Sequence, residues 1–165
     1  RLGLGTQVRT HVVRRYGVEF ESPGPRLRDY VQAVKACFAG FRGEPLDHRG
    51  SFYELTWLNR QWSPGPIDVP DPKVDIAAVN PWMLRMAGEV ADGVHVHPIG
   101  EPGYLDRHVL PQIAAGASRA GRDPRDAASS GRRAPHPSRG RRRRGGCAAN
   151  DADDDDDEAR AQPSS

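Results

Sequence analysis

The chain has 165 residues, a formal net charge of +2 and a hydrophobic fraction of 36%, a length that allows one domain. No run approaches the roughly 18 consecutive apolar residues of a membrane span; the only cysteines, Cys37 and Cys147, make neither a disulfide framework nor a metal-ligand set and suit the cytoplasm. The near-neutral total hides a run of four arginines, Arg141–Arg144, and a six-residue acidic run, Asp153–Glu158, so net charge says little about partners.

Leu2–Thr6 is short, apolar and glycine-rich, like the end of a buried parallel strand. A polar loop or short helical stretch follows through Gly17, then a turn signal at Ser22–Pro25. Arg26–Phe41 is the clearest helix: Leu27, Tyr30, Val31, Val34, Phe38 and Phe41 mark an inward stripe, with Arg28, Asp29, Gln32 and Lys35 on other faces. Prolines break residues 44–72 into an irregular excursion. Within it, Ser51–Leu55 is expected to be extended, and Trp57 and Trp62 to pin the segment to the body of the domain. Lys73–Val79 predicts a second strand, and Asn80 and Pro81 start a helix as cap and first helical residue. Met83, Leu84, Ala87, Val90 and Ala91 form the buried stripe of that helix, and Gly93 fits the position just past its end. Val94–His97 predicts a third strand. Pro102–Ala120 predicts a third helix, with Leu105, Val109, Leu110, Ile113 and Ala117 inward and Gly121 closing it.

Strands alternating with amphipathic helices imply parallel βαβ units, an α/β architecture. Three strands cannot close a barrel. No signal peptide is visible, and the chain starts at Arg1 rather than Met, so a true N-terminus upstream is expected. After Ile113 there is no Val, Ile, Leu, Met, Phe, Tyr or Trp. Such a segment cannot offset roughly 1–2 kcal/mol of ordering entropy per residue. Residues 1–124 therefore read as the folded domain and 125–165 as a low-complexity tail, either naturally disordered or the product of a frameshift in a GC-rich gene. The arginine run lacks interleaved aromatics and has a polyaspartate neighbour competing for cations, which argues against nucleic-acid binding.

Three strand-end loops carry candidate chemistry. Gly5, Thr6 and Gln7, with His11 following, allow close approach of a flat or anionic ligand, though the same spacing describes a plain turn. Val79–Trp82 places a helix N-terminus where a phosphate would fit, although most capped helix starts bind no anion. His95 and His97 alternate on one strand, but no further ligand completes a metal set, and His97 reads better as a polar substrate contact.

The segments Leu2–Gln7 (LGLGTQ), Val12–Gly17 (VVRRYG), Gly50–Tyr53 (GSFY), Ile76–Met83 (IAAVNPWM) and Ala87–Gly93 (AGEVADG) together resemble the luciferase-like monooxygenase family, in particular its deazaflavin (coenzyme F420)-dependent oxidoreductases. The resemblance runs to about Pro124 and implies a partial (β/α)8 TIM barrel, with residues 1–7, 73–79 and 94–97 as the family's fourth, fifth and sixth strands. The first three strands, which commonly supply catalytic groups, would lie outside this chain, so no catalytic residue is assigned. The resemblance implies coenzyme F420, with FMN as the alternative, bound by Gly5, Thr6, Gln7, His11, Val79, Asn80, Pro81, Trp82 and Gly93. It further implies a small organic substrate, hydride transfer or oxygenation, and a homodimer in the intact protein; the chain alone is expected to be inactive. A non-catalytic barrel piece or interaction module is the competing reading. Asn80 stands where many relatives have Gly, and His11 where some have Asn.

Overall fold

The computed structural model describes residues 1–96 and 103–127. The expected third-strand end at His97 and the low-complexity tail from residue 128 onward lie outside the described residues. Strand β1 (Leu2–Leu4) is followed by a turn of π-helix (His11–Arg15) and helix α1 (Pro23–Phe41). A small hairpin, β2 (His48–Arg49) with β3 (Glu54–Leu55), precedes β4 (Val74–Ala77), α2 (Pro81–Val90) and β5 (Gly93–His95). A second π-turn (Leu105–Val109) runs directly into α3 (Leu110–Arg119), and α4 (Pro124–Ala127) closes the described chain.

The main sheet has three strands in the order β1-β4-β5. Both pairings are parallel, Leu2 with Val74 and Leu4 with Ile76 on one side, Ile76 with Val94 on the other. Successive residues of a strand point to opposite faces, and here the two faces differ completely. Leu2, Leu4, Val74, Ile76, Ala78, Val94 and Val96 all belong to or pack against the core formed with the helices. The other face carries Gly3, Asp75 and Gly93 in one row and Ala77 beside His95 in the next. Gly5 continues that row, a Cβ there lying 3.5 Å from the Ala77 Cβ.

The core is built mainly by α2 and α3 against β4 and β5, with Leu27 and Val31 of α1 completing it. Helix α2 buries Met83, Leu84, Ala87 and Val90 as the periodicity predicts, and also Met86. Gly88 and Gly116 let α2 and α3 touch backbone to backbone: a Cβ at Gly88 would overlap the Ile113 carbonyl, and one at Gly116 the Arg85 carbonyl.

Several expectations need correction. Residues 22–25 are not a free turn, because α1 already starts at Pro23, with Ser22 left-handed at φ 44° as its cap position. Proline is at home there because first-turn N–H groups have no intrahelical acceptor. Asp29, expected on an outer face, is buried, and Tyr30, expected inward, is 41% exposed. The extended piece read at 51–55 is a hairpin whose strands are only His48–Arg49 and Glu54–Leu55. Trp57 and Trp62 pin nothing: they are 78% and 82% exposed. The excursion is anchored instead through polar groups. Arg42 donates to the carboxylate of Asp71 at 2.7 Å and to the Val69 carbonyl at 2.6 Å, and Asp29 holds the hairpin. Gly93 does not close α2. The helix ends at Val90 with Ala91 in extended conformation, and Gly93 begins β5. In the third helical segment Val109, Ile113 and Ala117 are buried, but Leu105 and Leu110 are 39% and 38% exposed.

Candidate functional site

Gly5, Thr6 and Gln7 leave the end of β1. Gln7 takes the left-handed conformation at φ 58°, and its side-chain carbonyl accepts the Val8 N–H at 3.0 Å. The Thr6 hydroxyl donates to the Gln7 carbonyl at 3.1 Å. Both polar side chains therefore shape the loop before they reach any ligand. Gly5 and Thr6 open onto a cavity of about 340 Å³ walled by Val12, Phe20, Tyr30 and Tyr53. Neither Gln7 nor His11 lines it; His11 is exposed on the π-turn.

At the end of β4, Val79 is exposed and Asn80 caps α2, its side-chain oxygen accepting the Met83 N–H at 2.9 Å. The Asn80 carbonyl takes the Leu84 N–H at 3.0 Å. Pro81 has no N–H, so Trp82 supplies the first-turn backbone donor that points out of the helix start. The Trp82 indole packs against Gly24 of α1, where any Cβ would collide with it. Replacing Asn80 with Ala removes the cap and is expected to cost about 1 kcal/mol of stability, read from urea or thermal melts. An unchanged midpoint would show that the cap is not needed.

The hairpin wall of the cavity rests on one buried carboxylate. Asp29 accepts from the His48 ring at 2.6 Å and from the Phe52 and Tyr53 N–H groups at 2.6 and 3.0 Å. Burial pushes the Asp29 carboxyl up, but the Phe52 N–H, the His48 ring and the Tyr53 N–H outweigh it and leave it below its ordinary value. Gly50 is required beside it, since a Cβ would overlap the carboxylate. Asp92 plays a related part between β4 and β5. Its carboxylate accepts the Val74 N–H at 2.9 Å and Lys35 Nζ at 2.8 Å, while its own N–H donates to the Val74 carbonyl at 2.7 Å. Burial raises the Asp92 carboxyl, and Lys35, the Val74 N–H and Arg122 together bring it below the usual range.

The inner sheet face holds an ion pair that motif reading passed over, beside His95. Asp75 is almost wholly buried and receives two hydrogen bonds from the Arg1 guanidinium, both 2.6 Å. Those hydrogen bonds hold the Arg1 guanidinium above its ordinary value. His95 stands on the same face, Nε2 3.7 Å from Asp75 Oδ2, with 63% of its side chain exposed. A carboxylate flanked by Val74 and Ile76 in an otherwise apolar strand was the available signal. Gly93 shares this face one row deeper than His95. Among the described residues, no group of three or more His, Cys, Asp or Glu is placed to hold a metal, and no helix is long and apolar enough to cross a membrane.

The sequence profile of the luciferase-like monooxygenases matches residues 1–143. An uncharacterized protein of Mycobacterium tuberculosis is 38% identical over 123 residues, 74% of this chain and 36% of that protein. The 5,10-methylenetetrahydromethanopterin reductase of Methanolobus tindarius is 31% identical over 110 residues, 67% of this chain and 31% of that protein. The solved structure of the coenzyme F420-dependent tetrahydromethanopterin reductase from Methanopyrus kandleri is similar with a TM-score of 0.52 at 24% identity, covering 73% of this chain and 37% of that one. The chain thus spans only about a third of the length of these relatives. That likeness makes the parallel sheet and its helices part of a (β/α)8 barrel. With the profile matched along most of its length, the chain belongs to the luciferase-like monooxygenase family.

Proposed function

We propose that this chain forms one wall of an oxidoreductase that moves a hydride between coenzyme F420 and a small organic substrate, residues 1–124 being the barrel part. The observation that carries the reading is that the Gly5 loop follows β1 and the capped start of α2 follows its parallel neighbour β4, both at the C-terminal edge where barrel enzymes place their chemistry. Two family relatives are methanopterin reductases, one of them named as F420-dependent.

The residues present fit such a cofactor. A planar ring needs sheet surface free of side chains, and Gly3, Gly5 and Ala77, all exposed, provide it, with Gly93 buried one row deeper. A phosphate needs backbone donors at a positive helix end, which the Val79–Trp82 loop supplies through Trp82. When bound, the deazaflavin supplies the hydride chemistry, and the protein's part is to orient it and exclude water. Gly5 and Thr6 would border the ring, Val79, Asn80, Pro81 and Trp82 the phosphate arm, and Gly93 the floor beneath. Gln7 and His11 would act at the margin, one shaping the loop and the other reaching the cofactor's side chain. His97 is retained as a substrate contact. A three-stranded wall is expected to bind weakly and to turn over nothing alone.

The test is a titration of the 15N-labelled chain with F420 and, separately, FMN to millimolar concentration, following backbone amides. F420 is expected to shift Gly5 and Trp82. Asn80→Asp keeps a capping side chain but adds a negative charge at the proposed phosphate position, and should weaken binding about fivefold. Shifts with FMN alone would transfer the assignment to FMN. Silence at both amides with both compounds would remove the reading.

A further inference from the structure

The inner face of the sheet carries three functional side chains in a field of very small ones. Arg1 and Asp75 are paired with each other through two hydrogen bonds, and around them stand Gly3, Gly5, Ala77 and Gly93. His95 is the most exposed of the three, with 63% of its side chain open against 43% for Arg1 and 1% for Asp75. Its Nε2 is 3.7 Å from the buried carboxylate, and a Cβ at Gly3 would sit 3.6 Å from the same nitrogen. The Nε2 edge of the ring thus faces both a carboxylate and a glycine.

We propose that His95 is a ligand-contacting residue of this site, its ring donating a hydrogen bond to a carbonyl oxygen on the planar cofactor, and that Asp75 positions the ring. The proposal rests on the cofactor reading given under Proposed function. Arg1 and Asp75 are the charged groups beside His95 on the inner face, and Arg1 engages both oxygens of Asp75. The carboxylate therefore serves as a fixed electrostatic anchor, while the imidazole remains accessible to a ligand. Strand alternation puts His95 on the opposite side from Val94 and Val96, which pack against the core.

The experiment follows the ring 15N signals of His95 during the F420 and FMN titrations, with His95→Ala, His95→Gln and Asp75→Asn as variants. Shifts of the His95 ring together with Trp82 are expected. His95→Ala should bind about tenfold more weakly, His95→Gln should recover part of that through its side-chain N–H, and Asp75→Asn should fall between them. His95 is exposed, so its variants are expected to melt like the parent, and they decide the matter even if Asp75→Asn does not fold. If Gly5 and Trp82 move while the His95 ring stays silent and His95→Ala binds unchanged, this inference is wrong and the cofactor reading stands. If nothing moves with either compound, the cofactor reading fails and takes this one with it.

Discussion

Replacing Gly116 with Ala is expected to destabilise the chain by about 3 kcal/mol, and Gly88→Ala by a similar amount, because each new methyl must enter the backbone of the facing helix. Neither obstacle is the far end of a flexible side chain. The Arg85 carbonyl and the Ile113 carbonyl are held in their own helices, so relief requires α2 and α3 to separate. Separation would loosen Met86, Ala87, Ile113 and Ala117 together, all of them buried. Urea denaturation of the single and double variants measures this. The double variant should cost less than the sum of the singles, since the first methyl already forces the helices apart. Midpoints within experimental error of the parent would show that the helices are not in contact as described.

Loss of the Asp29 carboxylate is expected to release the hairpin while leaving the sheet intact. In Asp29→Ala the Phe52 and Tyr53 N–H groups lose their acceptor, a cost of about 2 kcal/mol for hydrogen bonds to a charged group. Hydrogen exchange at those two amides should accelerate, with Val74 and Ile76 unchanged. The pH dependence has a definite sign. The folded carboxyl titrates below its unfolded value, so its stabilisation is complete above the ordinary carboxylate range, near pH 4. It is lost as pH falls through the lowered folded value. Protection of the Phe52 and Tyr53 amides, corrected for intrinsic exchange, should therefore hold above the ordinary carboxylate range and drop below it. Gly50→Ala should reproduce the defect at neutral pH, because its methyl occupies the carboxylate's place. Equal protection in Asp29→Ala and the parent would refute the anchoring role.

The elements that sequence made legible are those whose local chemistry and burial agree. At α2, proline at the first helical position, an asparagine cap and a stripe of Met83, Leu84, Ala87 and Val90 all point to one answer. The alternation of Val74 and Ile76 likewise marks β4. Asp29 was misplaced because helical periodicity assigns a charge to solvent, and only the distant hairpin shows why one is buried. Trp57 and Trp62 misled for the opposite reason: large aromatic area predicts burial only when something is near enough to cover it. Of the candidate site, the Asn80 cap and the Gly5 loop followed from motif and resemblance. The pairing of Arg1 with Asp75 spans 74 positions and has no local signature. His95 and His97 look equivalent on alternation alone, and His95 became a distinct candidate through its neighbours Gly3 and Asp75.

The double grip of Asp92 on Val74 has a kinetic consequence. It joins residues only 18 positions apart and closes β4 and α2 into a single ring of chain, with β5 following directly and α3 packing on α2 from the next segment. Closing short loops costs little entropy, and contacts of low sequence separation form early. Most of the buried core lies between Val74 and Ala117. This stretch is therefore expected to order first in folding, an order that pulsed hydrogen exchange would show as early protection of its amides. Strand β1, more than 70 residues from its partner β4, is expected to join later, bringing the Arg1–Asp75 pair that closes the inner face.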